Sequence, residues 1–309
     1  MQENRYARQL VYLASFCHQT FCMNRPLLLL LTLSLLLSAC SIKPVSKTKN
    51  VTYSATHDLR LDVYAPRRIK EPKKILIFVH GGNWVHGKKS IYPFYGKGMA
   101  RKGLIGVVID YRLSPAANYE GMATDVAEAV KWVKDHCRSF GGDPDNIYIS
   151  GHSAGAQLAA LVATNNTYFE KLGMKNPIKG TVLIDAFGLD MYRYFSLSKN
   201  EKDTIYRRVF SDDSATWKKA SPAHHLSKNM PPFIIFMGGK TYPVIRQINQ
   251  EFYAAVTKYQ PATQFIIVKR KRHVPMIFQF INPRARAYQQ ILDFMGATPN
   301  GAGNRPEKK

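Results

Sequence analysis

Residues Asn146–Gly155 read NIYISGHSAG: a short apolar run, a Gly-X-Ser-X-Gly pentapeptide, then the small residues Ala154, Ala156, Ala159 and Ala160 of a helical pattern. A serine between two glycines at a strand-to-helix junction sits on a turn so tight that Gly151 and Gly155 must lack side chains. Such a turn lifts the Ser153 hydroxyl off the end of its strand, which predicts a nucleophile elbow on a sheet flanked by helices.

Upstream, the β-branched run Ile75–Val79 leads directly into His80–Trp84, HGGNW. Two glycines at that point let main-chain N–H groups come close to a reacting carbonyl, where each fixed donor stabilises the developing oxyanion by about 3 kcal/mol. The expected donors are Gly82 or Asn83 together with Ala154, with Gly81 giving room; His80 reads as structural. Downstream, the run Phe265–Val268 ends in a basic loop holding His273, the candidate general base. His86, His152, His224 and His225 are less well positioned for that task.

Between these motifs apolar runs alternate with helical patterns. Leu59, Leu61 and Val63 alternate, and Gly106–Asp110, Ile147–Ser150, Thr181–Phe187 and Phe233–Gly238 read as strands. Val126, Val130 and Val133 share one helix face, Leu158 and Leu161 a second, and Ile248, Phe252 and Val256 a third; Ala285–Met295 closes the series. Strand and helix in alternation predict a mostly parallel sheet in a single α/β domain.

HGGNW, the segment GGDPDNIYISGHSAG at 141–155 and the late histidine resemble the α/β-hydrolase superfamily, most of all its small feruloyl-esterase-like and kynurenine-formamidase-like carboxylesterases. The resemblance covers Val51–Met295. It implies a mostly parallel central sheet flanked by helices with a small cap, and a cofactor-free Ser–acid–His triad acting on esters or activated amides, with a small-molecule ester opened through an acyl-enzyme on Ser153 as the expected reaction. The family's usual acid follows the strand Phe233–Gly238, where this chain reads GGKTYP and has Thr241 instead. The candidates are therefore Asp185 and Asp190 in VLIDAFGLD, with Glu251 third. A carboxylate at 185 would be expensive to bury without a partner such as His273.

Two alternatives stay open: a formamidase or amidase of the same fold, and a non-catalytic binding protein, motivated by Thr241. The segment 188–230 is expected as the cap. Its Tyr192, Arg193, Tyr194, Phe195, Tyr206, Arg207 and Arg208 suggest an aromatic or anionic substrate group.

The formal charge of +23 is scattered, as at Lys43–Lys49, Arg67–Lys74 and Lys269–Arg272. It favours anionic membranes or acidic substrates, while no nucleic-acid motif accompanies it. Gly239-Lys240-Thr241 resembles the end of a phosphate loop, but Ile234 stands where glycine is required, which excludes nucleotide binding. No Cys/His spacing suits zinc.

At the N-terminus, Met23, Asn24 and Arg25 precede the apolar run Leu27–Leu37, which is shorter than the ~20 residues a spanning helix needs. Leu37-Ser38-Ala39-Cys40 follows and resembles a bacterial lipobox, so residues 1–40 are expected to be a signal region with Cys40 as the lipidated residue; an ordinary secretory signal is the alternative. This predicts attachment to the lipid bilayer of the bacterial cell envelope, and Ser41 favours the outer membrane facing the periplasm. Residues 1–22 read as an upstream start or an extended n-region, 41–50 as a tether, 51–295 as the catalytic domain and 296–309 as a disordered tail. Of Cys17, Cys22, Cys40 and Cys137 only the last falls in the domain, so no disulfide is expected.

Overall fold

The computed structural model describes residues 44–197 and 204–296; the expected signal region, Cys40 and the tail from 297 onward lie outside them. In chain order the elements are β1 (Val45–Ser54), β2 (Leu59–Pro66), β3 (Lys73–Val79), α1 (Pro93–Arg101), β4 (Ile105–Ile109) and α2 (Tyr119–His136). Next come β5 (Gly142–His152), α3 (Ala154–Thr164), α4 (Thr167–Glu170) and β6 (Ile178–Ile184). A cap of α5 (Met191–Leu197), α6 (Thr204–Phe210) and α7 (Ser214–Lys219) precedes β7 (Phe233–Gly238), α8 (Pro243–Val256), β8 (Gln264–Val268), α9 (His273–Phe278) and α10 (Arg286–Phe294).

The strands form one sheet in the order β1-β2-β4-β3-β5-β6-β7-β8. β1 and β2, and β2 and β4, pair antiparallel; every other neighbour pairs parallel. Strands β4 and β7 are buried at every position, as expected of continuous apolar runs covered by helices on both faces. Along β3 the faces alternate. Ile75, Ile77 and Val79 pack into the core under α2, α3 and α8, whereas Leu76 and Phe78 pack into the core under α1 and α10.

Helix α2 starts where the Asn118 side chain accepts the Gly121 N–H at 3.0 Å, a cap legible as an Asn ahead of an amphipathic run. Its Val126, Val130 and Val133 are buried together, as their spacing requires. Helix α3 is buried along its whole length, and its alanines let it lie close against the sheet.

The tether expectation needs correction. Residues 45–50 form the first half of β1, in register with β2 from Val45 opposite Pro66 to Thr48 opposite Val63. Ser46–Asn50 are all exposed, so no hydrophobic alternation marks the strand. What holds it is the ladder and a polar cluster: Asp62 accepts from the Asn50 N–H at 2.9 Å and pairs with Lys89 at 2.7 Å, and Lys89 also donates to the Asn50 side chain.

Candidate active site

β5 delivers Ser153 and α3 begins at the next residue. Ser153 takes φ +55, a strained conformation for a side-chain-bearing residue, held by its N–H on the Ile184 carbonyl and its carbonyl under the Phe187 N–H, each at 3.2 Å. The glycines around it are required by contact. A Cβ on Gly155 would come within 2.3 Å of the Val79 and His80 carbonyls, and one on Gly151 within 2.3 Å of the Gly155 carbonyl.

Ser153 Oγ lies 2.8 Å from His273 Nε2, and His273 Nδ1 donates to Asp185 Oδ2 at 2.6 Å. β6 ends at Ile184, so Asp185 stands one residue beyond the strand, at φ +47, with its own N–H on the Phe236 carbonyl at 2.7 Å. Its carboxylate is fully buried and completely engaged: Oδ1 accepts the Gly238 N–H at 2.7 Å and Oδ2 also accepts the Thr241 hydroxyl at 2.5 Å. The sequence leaves Asp185 and Asp190 open as the histidine's partner, and the geometry brings only Asp185 to His273. Asp190 caps α5 through the Arg193 N–H at 2.8 Å and lies 3.5 Å from His224, while Glu251 pairs with Arg193 at 3.3 Å.

The HGGNW loop runs against the serine. A Cβ on Gly81 would sit 2.8 Å from the His152 carbonyl and 3.0 Å from Ser153 Cβ. Gly82 has φ +133, followed by Asn83 and Trp84 in left-handed conformations at +52 and +61, and the Val85 and His86 N–H groups fold back onto the Gly82 carbonyl. The Trp84 indole is fully buried and donates to Gln157 of α3 at 2.9 Å, which ties the loop to the helix carrying Ser153. Ala154 is the first residue of α3, so its N–H has no acceptor within the helix. Gly82 and Asn83 line the same cavity as Ser153, and Ala154 follows the serine directly.

His80 is structural: burial pushes its imidazole down to about 4, and its ring stacks 4.5 Å from that of Tyr111. His152, the X of the pentapeptide, has a role the sequence does not reveal. Burial, then the nearby His273, push it down to about 3, so the ring is neutral; its Nε2 donates to the His273 carbonyl at 3.2 Å and the two rings stack at 4.9 Å. Thr241 was legible only as the absence of an acid, and the structure makes it a hydrogen-bond donor to that acid.

Above Ser153 and His273 opens a cavity of about 690 Å³, bounded by Tyr92, Phe187, Tyr194, Tyr206, Tyr242 and Phe278. Of the aromatic residues expected from the cap, Tyr194 and Tyr206 line the cavity, while Tyr192 and Phe195 are not among its lining residues. The cap's arginines do not line it either. Arg193 is spent on Glu251, and Arg207 pairs with Asp212 and lies over the Phe195 and Trp217 rings.

Comparison with known proteins agrees with this architecture. An isoprenylcysteine alpha-carbonyl methylesterase of Arabidopsis thaliana is 26% identical over 246 residues, 75% of this chain and 57% of the relative. A kynurenine formamidase of Salmo salar is 25% identical over 248 residues, covering 80% and 81% of the two chains. The chain spans 50–59% of the length of the plant and mycobacterial esterases it matches. Among solved structures, a truncated carbohydrate esterase from gut microbiota superposes with a TM-score of 0.72 at 20% identity, over 83% of this chain and 97% of the other, which shows a shared α/β-hydrolase fold. The BD-FAE family model matches residues 61–272, from β2 to the residue before His273 and so across the HGGNW loop, the elbow and Asp185, and the chain belongs to the BD-FAE family.

Proposed function

We propose that the protein is a serine carboxylesterase with Ser153 as nucleophile, His273 as general base and Asp185 as the acid that orients it. The observation that carries this is the continuous hydrogen-bonded relay from Ser153 Oγ to Nε2 at 2.8 Å and from Nδ1 to the buried carboxylate at 2.6 Å. His273 takes the hydroxyl proton as Oγ attacks the ester carbonyl, and the N–H groups of Gly82 or Asn83 and of Ala154 receive the oxyanion. The imidazolium, steadied by Asp185, then protonates the leaving alcohol; water gives a proton to His273 as its oxygen attacks the acyl carbonyl, and His273 returns that proton to Ser153 Oγ as the Oγ–acyl bond breaks and the acid leaves. The aromatic walls, with no Lys or Arg in the cavity lining among the described residues, favour a neutral, apolar or aromatic ester over an anionic one.

The test is labelling of the full chain with a fluorophosphonate probe. Wild type is expected to label and Ser153→Ala and His273→Ala to stay unlabelled, while Asp185→Asn lowers kcat by about 10⁴ with the fold intact. An unlabelled, folded wild type would overturn the reading in favour of a binding protein.

The second reading, hydrolysis of a formamide or amide by the same residues, is favoured by the kynurenine formamidase match along four-fifths of both chains. Turnover of an aryl ester against an N-formyl anilide separates the two.

The N-terminal reading stands beside this one: Cys40 as a lipidated residue that anchors the domain to the envelope, at the outer membrane facing the periplasm. Its support is the sequence Met23–Cys40. Cys40→Ser is expected to abolish acylation, read as the mass of the envelope-associated protein.

A further inference from the structure

The rim of the cavity is apolar where neither fold nor chemistry requires it. On α9 and the 3₁₀ turn that follows, Val274, Phe278 and Ile281 are 51%, 42% and 61% exposed, and their spacing of four and three puts them on one face. Beside His273, Tyr242 is 60% exposed, its ring 5.6 Å from the imidazole. Val274, Phe278 and Tyr242 line the cavity as well, so the ridge continues its wall to the outside. Isolated exposed apolar residues are ordinary; a ridge at the mouth of a pocket is a surface awaiting a partner.

The charge around it says which partner. Lys269, Arg270 and Arg272 stand exposed immediately ahead of α9, Lys240 two residues before Tyr242, and Arg284 three after Ile281. Between Glu251 and Asp293 the chain has Lys258, Lys269, Arg270, Lys271, Arg272, Arg284 and Arg286 and no acidic residue. Apolar side chains of this size fit the boundary between lipid headgroups and acyl chains, and the flanking lysines and arginines meet anionic phosphates there. A second copy of this chain would instead bring like charge to like, in a molecule whose formal charge is already +23.

We propose that this rim docks on an anionic phospholipid bilayer and seats the cavity mouth at headgroup depth. Joined to the proposed ester hydrolysis, on which this one step rests, the docking implies a lipophilic ester that passes from the bilayer to Ser153 without crossing bulk water.

The experiment is hydrogen exchange on the full chain carrying Ser153→Ala, bound to vesicles of phosphatidylglycerol or of phosphatidylcholine. Any attachment through residues 1–43 acts in both, and protection does not depend on turnover, so the docking and the esterase reading fail separately. Peptides spanning 272–282 are expected to exchange on the order of tenfold more slowly on phosphatidylglycerol than on phosphatidylcholine, with β5 and β6 unchanged. Ile281→Ser with Arg270→Glu, neither of which lines the cavity, is expected to abolish the difference while β5 and β6 exchange as before. Equal exchange of 272–282 on the two lipids, or a difference that survives in the double variant, would overturn the proposal.

Discussion

Thr241 occupies the loop position from which the superfamily's acid usually comes, and its hydroxyl meets the carboxylate that replaces it, Asp185 from the end of the neighbouring strand. A buried carboxylate that must stay charged to orient an imidazolium depends on each of its donors. Thr241→Val keeps the shape and removes one donor, so kcat is expected to fall about 10–100-fold with KM little changed, from the ~1.5–3 kcal/mol typical of a hydrogen bond to a charged group. Steady-state turnover of a soluble aryl ester checks it. A second expectation concerns His80 and His152, whose pKa values burial depresses from 6.5 to about 4 and about 3. A histidine with a depressed folded pKa contributes its full stability above pH 6.5 and loses it as pH falls, because the unfolded chain binds a proton that the buried ring refuses. Stability should decline from about pH 6.5 to about 4 by ~1.4 kcal/mol per pH unit for each ring, and His80→Gln should halve the slope. Urea midpoints across that range measure both. The sequence makes Ser153 and His273 legible because a steric motif and chain order specify them. It leaves the acid open because Asp185 and Asp190 differ only in which one a positive φ and three fixed donors surround.

The loop from His80 to Trp84 is positioned by its last residue as much as by its glycines. The Trp84 indole is held by Gln157, whose amide nitrogen in turn donates to the Ala220 carbonyl at the end of the cap. Loop, elbow helix and cap therefore share one chain of hydrogen bonds, and the edges of Tyr206 and Phe210 pack on the same indole. Trp84→Phe would leave the Gln157 oxygen without its donor in a dry site, at a cost of about 1–3 kcal/mol. Because the loop carries one of the two proposed oxyanion donors, Gly82 or Asn83, kcat should drop by more than KM rises, which pre-steady-state burst kinetics would resolve. Elements of this kind are readable where periodicity records burial, as in α2 and α8, and unreadable where it does not, as in β1. Five consecutive exposed residues of β1 look like a linker, and only pairing with β2 makes them a strand.

At the scale of the whole molecule, the antiparallel side of the sheet rests on a buried ion pair, Asp62 with Lys89, whose side chains are 3% and 7% exposed. Removing one partner strands a charge: Lys89→Met should destabilise by about 3–5 kcal/mol, and Asp62→Leu with Lys89→Met should recover most of that, read by thermal denaturation. No part of this pair touches the cavity lining, so the folded variants should keep the wild-type KM. The opposite side of the molecule has another character. The backbone of Ser153 is bound on both flanks by the segment that carries Asp185, since Ile184 accepts its N–H and Phe187 donates to its carbonyl. Ser153 and Asp185 are thus one mechanical piece of the central sheet, whereas His273 arrives on a six-residue helix after the edge strand β8, which is exposed or half-buried throughout. On heating, the relay should come apart at its histidine end first, so that catalysis is lost reversibly some degrees before the sheet melts, and the ceiling on working temperature is set by a loop at the rim while the core is still whole.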